Sequence, residues 1–446
     1  MQAGWYHAKD YNILGDGITN HTRALNALLQ KIAACGGGTL YLSPGEYVTG
    51  TLELGSHTTL WLENGARLLG SAEWSDFPLI GEKDFPGWGP QTHAPLLFAR
   101  NANHVAVRGQ GIIDARGAFW WRQAGEERPK SLEFIGCTDV LVEDVTFQNS
   151  PMWTLHPLRC DRVVIRGVTI RNPQDSPNTD GINPESCRDV RISDCHIEVG
   201  DDCVTLKSGR QDQPFHSGMP CENIAIINCT MRSGHGGVVI GSEMSGGVRN
   251  VVISNCVFQG TDRGIRIKTR RFRGGAVENV RISNVVMEQV WCPLVINCFY
   301  RCGTADSELE AASSILPQPV DSLTPAIRRI ALTNILVTGA SASACRVRGL
   351  PEQPVEDLSL DQVTVYMDQN GEPRVPVMDY WERPVRGEGM KLENVRGLTM
   401  RSVAVFGCDS GTAFSLHHIT GNVLLRDLQD DDGMATAQGA DAGRFA

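Results

Sequence analysis

From about residue 100 onward, the chain repeats one short pattern of apolar residues. In the copy that begins at Val140, apolar side chains occupy positions 1, 3, 6 and 8, and the copy at Val163 repeats this pattern 23 residues later. A period in the twenties, with occasional insertions, is typical of a solenoid whose coils each carry two or three short strands. The copies begin at Val105, Val140, Val163, Val190, Ile224, Val251, Val280, Ile330, Leu358, Leu398 and Val423.

This repeat predicts an all-β fold, namely a right-handed parallel β-helix of about ten coils. We expect residues 1–446 to form a single domain, with coils over about 100–430 and a flexible tail over 431–446. An apolar stripe at helical spacing from Ala24 to Ile32 predicts a helix within an N-terminal cap region over about 14–50. Such a helix covers strand edges that otherwise invite aggregation.

Two columns of the repeat support the solenoid. At position 6, Cys195 and Cys229 alternate with valine and isoleucine, which indicates small, buried, reduced cysteines and not metal ligands. At position 5, Asn255 and Asn284 occupy a predicted bend. Stacked amides at such a bend are expected to hydrogen-bond from coil to coil.

Composition excludes some classes of function. The formal net charge of −10 argues against a nucleic-acid partner, because binding to polyphosphate needs clustered Lys and Arg. The sequence has no run of 18 apolar residues, so we expect no membrane span. No secretory signal is visible at its start, which favours the cytoplasm, or a secreted or periplasmic location if a leader was removed. The oligomeric state is not predicted.

Each coil is expected to carry a second strand, and four of these strands bear residues suited to chemistry. Side chains alternate along a strand, so if Ile182 and Ile265 point inward, their neighbours point outward. Neighbouring coils lie about 4.8 Å apart, which places their outward groups within reach of one sugar. Strict alternation sends the side chains of Asp201 and Asp202 to opposite faces, so this interpretation requires a bend before Gly181 and before Cys203. The residues expected around the cleft are Asp180, Asn183, Asp201, Asp202, His235, Arg266 and Lys268.

These residue types indicate acid–base hydrolysis of a sugar acid. Three carboxylates that lie close together do not all ionise easily, so one keeps a proton and can act as an acid. Another can activate water on the opposite face of the sugar. A planar guanidinium and an ammonium point charge both suit a carboxylate ligand.

On these motifs the chain resembles the polygalacturonases of glycoside hydrolase family 28, over nearly its full length. The four motifs match in order, in type and at coil spacing. Segments 234–247, 260–275 and 349–353 are most similar to the bacterial exo-acting branch. The resemblance implies a right-handed β-helix that hydrolyses α-1,4-linked galacturonic acid with inversion, without a metal or another cofactor. The partner it implies is a galacturonate-containing oligo- or polysaccharide.

The resemblance also implies a role for each acidic residue of the motifs. Asp201 matches the general acid that protonates the leaving glycosidic oxygen. Asp180 and Asp202 match the pair that activates water. His235 matches the histidine that tunes the protonation of the acid.

The resemblance implies that Arg266 and Lys268 hold the galacturonate carboxylate. Asn183 departs from the family pattern, because many relatives carry Asp there, and its contacts with the sugar are therefore in doubt.

Three further residues are candidates for substrate binding. His156 aligns outward one coil before Asn183, and the sequence leaves substrate contact and plain surface as open alternatives. Tyr300 follows the coil of Lys268, and the sequence leaves open whether it stacks on a sugar. Arg271 belongs to a basic cluster for which we expect further carboxylate contacts.

Exo action is favoured over endo action. Long insertions at roughly 75–97, 299–326 and 366–394 are suited to closing one end of a cleft, and an enzyme in the cytoplasm meets only short oligomers. An endo-polygalacturonase and a rhamnogalacturonan or xylogalacturonan hydrolase stay open as alternatives within the family. A Ca²⁺-dependent pectate lyase and a non-catalytic polysaccharide-binding β-helix are the alternatives outside it.

Overall fold

A computed structural model describes residues 4–81, 92–122, 128–210, 218–409 and 411–438. The described residues form two compact units. The first contains residues 4–205 and 222–225, and the second contains 206–210, 218–221 and 226–438 apart from 410. The prediction of a single domain over 1–446 stays a prediction.

The first unit stacks short parallel strands, up to three in each coil. One coil contains Leu132–Ile135, Thr138–Glu143 and Thr146–Gln148, and each of these strands pairs in parallel with a strand of the next coil. The strands, in chain order, are Trp5–His7, Asp16–Asn20, Gly38–Leu42, Gly45–Thr49, Leu52–Glu53, Thr58–Leu62, Ala66–Gly70, Leu79–Ile80, Thr92–His93, Leu97–Arg100, Asn103–Gly109, Ile112–Asp114, Leu132–Ile135, Thr138–Glu143, Thr146–Gln148, Leu155–Leu158, Asp161–Arg166, Thr169–Arg171, Arg188–Ser193, His196–Glu198 and Asp202–Leu206.

In the second unit, neighbouring strands of a coil run together into longer ones. Val248–Gln259 pairs in parallel with Ala276–Glu288, and Arg263–Lys268 pairs in parallel with Cys292–Asn297. The remaining strands of the chain, in order, are Cys221–Ile227, Thr230–Arg232, Gly236–Gly241, Val248–Gln259, Arg263–Lys268, Ala276–Glu288, Cys292–Asn297, Ala326–Ala340, Ser343–Arg348, Val355–Met367, Glu388–Phe406, Phe414–Asp430 and Gly433–Met434.

Within each unit, the predicted copies of the repeat pair in register. All of them except the last have buried first residues, and each such Val, Ile or Leu contributes about 1.5–3 kcal/mol through burial of its side chain. The register runs through Val105, Val140, Val163 and Val190 in the first unit, and through Val251, Val280, Ile330, Leu358, Leu398 and Val423 in the second.

Positions 5 and 6 of the repeat, which carry the asparagines and the cysteines, are also as predicted. Asn284 Nδ2 donates to Asn255 Oδ1 at 3.1 Å, and Asn334 Nδ2 donates to Asn284 Oδ1 at 2.8 Å. The φ angles of these three residues lie between 54° and 56°, in the left-handed region that asparagine tolerates better than most residues. Cys195, and Cys256 at the same position of a later copy, are free thiols in the interior, which confirms that cysteine replaces valine there as a small buried residue.

The predicted N-terminal helix spans Thr22–Ala34. It begins two residues after Asn20, whose Oδ1 accepts a hydrogen bond from the Thr22 N–H at 3.0 Å. The buried face of the helix contacts the strands Gly38–Leu42 and Leu52–Glu53, so it covers the first coils of its unit. No helix among the described residues combines the length and the apolar character needed to cross a bilayer. The other helical segments are Gly117–Trp121 and Leu309–Ser313, with 3-10 turns at Ala8–Tyr11, Trp74–Asp76 and Asp306–Glu308.

The region predicted to be a flexible tail is hydrogen-bonded over its described part. Phe414–Asp430 pairs in an antiparallel manner with Gly433–Met434, and the Gln438 N–H donates to the Phe414 carbonyl oxygen at 2.9 Å. Residues 439–446 lie outside the described part of the chain.

Candidate active site

Three predicted catalytic residues, Asp180, Asp201 and Asp202, lie together in the first unit. One carboxylate oxygen from each lies within 4.8 Å of those from the other two. Asp180 and Asp202 are buried, and Asp201 is partly exposed. Of the two bends that the sequence interpretation required, the one before Cys203 is present at Gly200 and Asp201, directly before the strand Asp202–Leu206. The structure therefore brings the three predicted carboxylates together.

Two glycines allow the turns that carry these aspartates to approach each other. A Cβ atom at Gly181 would lie 2.4 Å from the Cys203 carbonyl oxygen, and one at Gly200 would lie 2.2 Å from the Ser176 carbonyl oxygen. Both contacts are with main-chain atoms, so a side chain at either position would push the turns apart. The Gly181 N–H donates to the Asp202 carbonyl oxygen at 3.0 Å. Main-chain hydrogen bonding therefore sets the spacing between the first and the third aspartate.

Small polar side chains behind the aspartates tie the same turns together. Thr179 Oγ1 accepts from the Gly200 N–H at 3.2 Å and lies 2.6 Å from Ser176 Oγ. Asn172 Nδ2 donates to the Thr179 carbonyl oxygen at 3.2 Å and to Thr154 Oγ1 at 2.9 Å. The sequence interpretation missed Asn172 and Ser176. Their only signal was a stretch of Asn, Ser and Pro directly upstream of the first aspartate, a composition common to most turns.

The first unit disfavours additional negative charge at the aspartates. Burial raises the pKa of the Cys203 thiol well above its usual value, and the negative charges of Asp202, Asp180 and Asp201 raise it further. Cys203 therefore stays neutral.

The predicted substrate-binding cations, Arg266 and Lys268, lie on one strand of the second unit. They are two residues apart on the strand Arg263–Lys268, so their side chains leave the same face. The Tyr300 ring lies close to both, with its centroid 5.7 Å from Arg266 Cζ and 5.4 Å from Lys268 Nζ. The structure therefore brings these three predicted residues together, while stacking of Tyr300 on a sugar stays a prediction.

A carboxylate supplies counter-charge to the cations of the second unit. Lys207 Nζ donates to Glu243 Oε2 at 2.9 Å. Desolvation alone would raise the pKa of Glu243, but the positive charges of Lys207, Arg273 and Lys268 outweigh it and hold the pKa below its usual range. Glu243 is therefore ionised. Its position in this network was not predicted from the sequence.

His235 belongs to the second unit and is exposed directly before the strand Gly236–Gly241. An exposed imidazole is accessible to a ligand. The predicted role of His235 in tuning the acid stays a prediction.

The prediction that Arg271 binds substrate is corrected by its contacts. Its guanidinium makes a two-point contact with Glu352, through Nε at 2.6 Å and Nη2 at 2.8 Å. Nη1 donates to the carbonyl oxygens of Ala311 and Ser314, and Nη2 also donates to that of Leu316. All five N–H groups thus have acceptors within the protein. A buried guanidinium needs its charge and its donors satisfied, and here the protein satisfies them.

The predictions for His156 and Asn183 are corrected by burial. His156 is 2% exposed, with Nδ1 2.7 Å from Glu133 Oε1 and Nε2 2.9 Å from Glu185 Oε2. It is therefore a structural histidine between two carboxylates, neither a surface residue nor one with an open ring nitrogen. Asn183 is completely buried, and among the described residues neither atom of its amide has a hydrogen-bond partner. Its predicted sugar contact is not available in this arrangement.

A segment of the 366–394 insertion crosses the outward face of the second unit. We call residues 375–381 the strap. Arg263 donates to the carbonyl oxygens of Val375 and Pro376, at 2.5 and 3.1 Å. Arg266 Nη2 lies 3.0 Å from Met378 Sδ. The strap therefore lies directly against one of the two cations predicted to bind substrate.

The 299–326 insertion contacts the strap and Glu382, the residue directly after it. Thr304 Oγ1 lies 2.7 Å from Tyr380 Oη, and Arg301 makes a two-point contact with Glu382, through Nε at 3.0 Å and Nη2 at 2.7 Å. The two insertions thus form one continuous wall beside Arg266. Part of the third predicted insertion, residues 82–91, lies outside the described residues.

Comparison with known proteins places these observations in a family. The family model described as glycosyl hydrolases family 28 matches residues 82–372, well over half of the chain. A "Probable polygalacturonase" of Vitis vinifera is 34% identical over 375 residues, which cover 80% of this chain and 73% of that protein. An "Endo-polygalacturonase" of Pectobacterium carotovorum subsp. carotovorum is 29% identical over 301 residues, covering 62% of this chain and 72% of that protein.

A solved structure is similar over most of its length. The exopolygalacturonase of Thermotoga maritima gives a TM-score of 0.70 at 25% identity, and the match covers 96% of this chain and 92% of that one. The curated relatives are matched over about half to three quarters of their own length. The fold is the right-handed parallel β-helix that the repeat predicts. By the match to the family model and by its identity to the Vitis vinifera protein, the chain belongs to glycosyl hydrolases family 28 and is a hydrolase of the polygalacturonase type.

Proposed function

We propose that this chain hydrolyses α-1,4-linked galacturonic acid in polygalacturonate and oligogalacturonates, from a chain end and with inversion. The observation that carries the proposal is the group of Asp180, Asp201 and Asp202, with carboxylate oxygens within 4.8 Å of one another. Hydrolysis of a glycosidic bond needs one carboxylic acid and one carboxylate. A crowded group of three supplies both at the same pH.

The aspartates have separate roles in the proposed reaction. Asp201 donates its proton to the glycosidic oxygen while the bond from that oxygen to the anomeric carbon breaks. Water attacks the anomeric carbon, and the pair Asp180 and Asp202 accepts the proton that the water loses. The extra proton leaves this pair to solvent, and Asp201 is reprotonated, which restores the enzyme. His235 tunes the protonation of Asp201.

The uronate carboxylate is the ligand proposed for Arg266 and Lys268. Their spacing on one face of a strand supports this role, because a fork of N–H donors beside a point charge recognises a carboxylate from two directions. The nearby Tyr300 ring adds an apolar surface of the kind on which a sugar face packs. The substrate class is therefore an acidic sugar chain.

Exo action is supported by the wall that the two insertions build beside Arg266. A groove that binds the interior of a polymer must be open at both ends, whereas an end-acting enzyme needs one end closed. The strap, residues 375–381, crosses three successive strands of the second unit, with contacts at Arg263, Asn297 and Arg348. The likeness to the Thermotoga maritima exopolygalacturonase also supports exo action, while the relative in Pectobacterium is an endo-polygalacturonase.

The mode of action is tested by the first products of a defined oligogalacturonate. Purified protein is mixed with a hexamer of galacturonic acid, and samples from the first few per cent of conversion are separated by anion-exchange chromatography. A single short product from the outset, with a pentamer or tetramer as its complement, is the expected result. A ladder of intermediate lengths at the earliest times would contradict exo action but not hydrolysis.

The stereochemistry needs a separate measurement. The carboxylate spacing is shorter than the roughly 6.5–9.5 Å typical of inverting enzymes and is nearer to the roughly 5–5.5 Å of retaining ones. Inversion is therefore supported by family membership and not by this spacing. Proton NMR of fresh product distinguishes the two outcomes. We expect the β-anomer to form first, and an initial α-anomer would indicate that an aspartate acts as nucleophile.

The same digestion is run with and without EDTA. Three carboxylates are also a possible ligand set for Ca²⁺, on which a pectate lyase depends. Hydrolysis is expected to be unaffected by the chelator and to give no ultraviolet-absorbing product. A chelator-sensitive product that absorbs in the ultraviolet would indicate β-elimination in place of hydrolysis.

A further inference from the structure

Among the described residues, three hydrogen bonds join Arg128 to turns near the aspartates. It is 9% exposed and lies just before the strand Leu132–Ile135. Its Nη1 donates to the carbonyl oxygens of Pro151 and Pro177, each at 2.8 Å, and its Nη2 donates to Asn178 Oδ1 at 2.7 Å. One buried guanidinium therefore joins the turns of two neighbouring coils. Neither the motifs nor the proposed chemistry gave Arg128 a role.

The turn that Arg128 holds leads directly to Asp180. Between the strands Thr169–Arg171 and Arg188–Ser193, a fully described stretch, the chain pairs with its neighbours through bridges at Ile182 and Glu185. Main-chain hydrogen bonds also hold Asp180, whose carbonyl oxygen accepts from the Thr154 N–H at 2.8 Å. The Arg128 contacts add to them at the residues just upstream. Two of the three Arg128 contacts lie two and three residues before Asp180, which is too short a stretch to absorb a displacement.

The conformation of the turn makes this support more important. Asn178 has a φ of 57°, in the left-handed region. Such residues persist where the surrounding structure holds them in place. Arg128 binds the side chain of Asn178 and the carbonyl oxygen just before it. Loss of the guanidinium thus removes one contact with the side chain of Asn178 and one with the main chain just before it.

A guanidinium suits this task better than an ammonium group. The three acceptors belong to Pro151, Pro177 and Asn178, and the planar fork of arginine reaches them with two nitrogens held in a fixed relation. A lysine offers one nitrogen on a flexible stem. A lysine keeps the positive charge but cannot hold the Pro151 turn and the Pro177 turn at a fixed spacing.

We propose that Arg128 is a positioning residue for Asp180, which fixes the turn at Pro177 and Asn178 and thereby aims the Asp180 carboxylate at the attacking water. The inference rests on the proposed function, in which Asp180 helps to activate water. In this role Arg128 acts through the turn.

The test compares steady-state rates of R128A, R128K and the unchanged protein on polygalacturonate. We expect kcat of R128A to fall about 10- to 100-fold, because a displacement of about 1 Å at a reacting group has an effect of this size. KM is expected to stay within about threefold. R128K should lie between the two. Millimolar guanidinium chloride should restore part of the lost kcat in R128A by filling the vacated place.

The matched control is R191A. Arg191 is an exposed residue of the same unit whose Nη1 also donates to two main-chain oxygens, those of Val190 and Asn223, at 3.1 and 3.2 Å. R191A should keep its kcat and show no response to guanidinium. For R128A, a kcat within about threefold of the unchanged protein, or a loss that guanidinium does not reverse, would overturn the inference.

A second variant decides the matter if R128A fails to fold. N178G removes the Oδ1 acceptor but keeps the left-handed backbone, which glycine adopts freely. We expect kcat of N178G to fall several-fold, and we expect R128A/N178G to lose no more than R128A if that variant folds. An N178G variant with normal kcat, or fully additive losses, would overturn the inference. An unchanged protein that releases no sugar from polygalacturonate would instead overturn the proposed function, and this inference with it.

Discussion

The aspartates of the first unit and the cations of the second unit are held in place by different kinds of partner. The turns that carry Asp180 and Asp201 are tied by main-chain hydrogen bonds and by uncharged side chains such as that of Thr179. In the second unit, Glu243 and Glu352 supply negative charge directly to neighbouring cations. The guanidinium of Arg128 also binds the turn before Asp180, but it does so through carbonyl and amide oxygens that carry no charge. One region is thus held through uncharged acceptors, and the other is held by ion pairs.

This difference separates charge used for chemistry from charge used for structure. Crowded carboxylates repel one another, and the proposed acid depends on this repulsion. In the second unit, the contacts of Arg271 decide what it can do, because all of its donors are engaged by the protein. Lys268 lies beside the Tyr300 ring, and its positive charge helps to lower the pKa of Glu243.

The largest expected effect is that of D201N on turnover. Because the amide cannot donate a proton as the carboxylic acid does, kcat on polygalacturonate should fall by about a hundred- to ten-thousand-fold with KM little changed. If the aspartates repel one another, the thermal midpoint should stay the same or rise. Stopped assays of reducing ends and thermal unfolding measure the two quantities.

The control for D201N is D175N, an exposed residue in the turn upstream of Asp180. It should leave both kcat and thermal stability unchanged. Release of reducing ends by D201N at the normal rate would refute the assignment of Asp201 as the acid. A strong loss of stability in D201N would show that the aspartates are structural, against the contrast drawn between the two regions.

The next effect is on stability, and it concerns Arg271. R271M leaves the buried carboxylate of Glu352 without its partner, which should lower the free energy of unfolding by about 3–5 kcal/mol. Urea unfolding followed by circular dichroism measures the change. The double variant R271M/E352M should recover most of the loss, because an apolar pair can replace a buried ion pair. Equal destabilisation in the single and double variants would show that the ion pair is not the cause.

The same contrast explains which parts of the site the sequence predicts. The coils and the group of aspartates depend on local motifs. The alternation of side chains along a strand, and the glycines where two turns approach each other, can be recognised from neighbouring residues in the sequence. The role of Arg271 depends on Glu352 and on carbonyl oxygens at 311–316, which are 40 or more residues away. Nothing near Arg271 in sequence shows that the protein itself engages all of its donors. Long-range partners therefore caused the errors, and His156, between Glu133 and Glu185, is a second case.

A third effect depends on pH and concerns Glu133 in the first unit. Burial opposes its charge, but the positive charge of Lys130 and the contact with His156 lower the pKa of Glu133 from 4.5 to about 2. A lowered pKa stabilises the folded state fully above about pH 4.5, and this stabilisation is lost as the pH falls toward 2. The full contribution is roughly 3 kcal/mol, of which about 2 kcal/mol should be lost between pH 6 and pH 3.

Urea unfolding at pH 6 and pH 3 measures this effect. The unchanged protein should lose about 2 kcal/mol more than E133Q over this interval. The control E198Q, at an exposed position on the strand His196–Glu198, should behave like the unchanged protein. Equal acid sensitivity of E133Q and the unchanged protein would show that this ion pair does not contribute.

The smallest expected effect separates Lys268 from Arg271 as two neighbouring cations with different roles. K268M should raise KM for oligogalacturonate about 10- to 100-fold, because a hydrogen bond to a charged group contributes about 1.5–3 kcal/mol. The free energy of unfolding should change far less than in R271M. K391M is the matched control, since Lys391 is a lysine of the same unit bonded to Glu388 at 2.7 Å, and its KM should be normal. A methyl-esterified oligomer, which lacks the carboxylate charge, should be cleaved equally by K268M and the unchanged protein, and an equal KM defect on both substrates would assign Lys268 to structure.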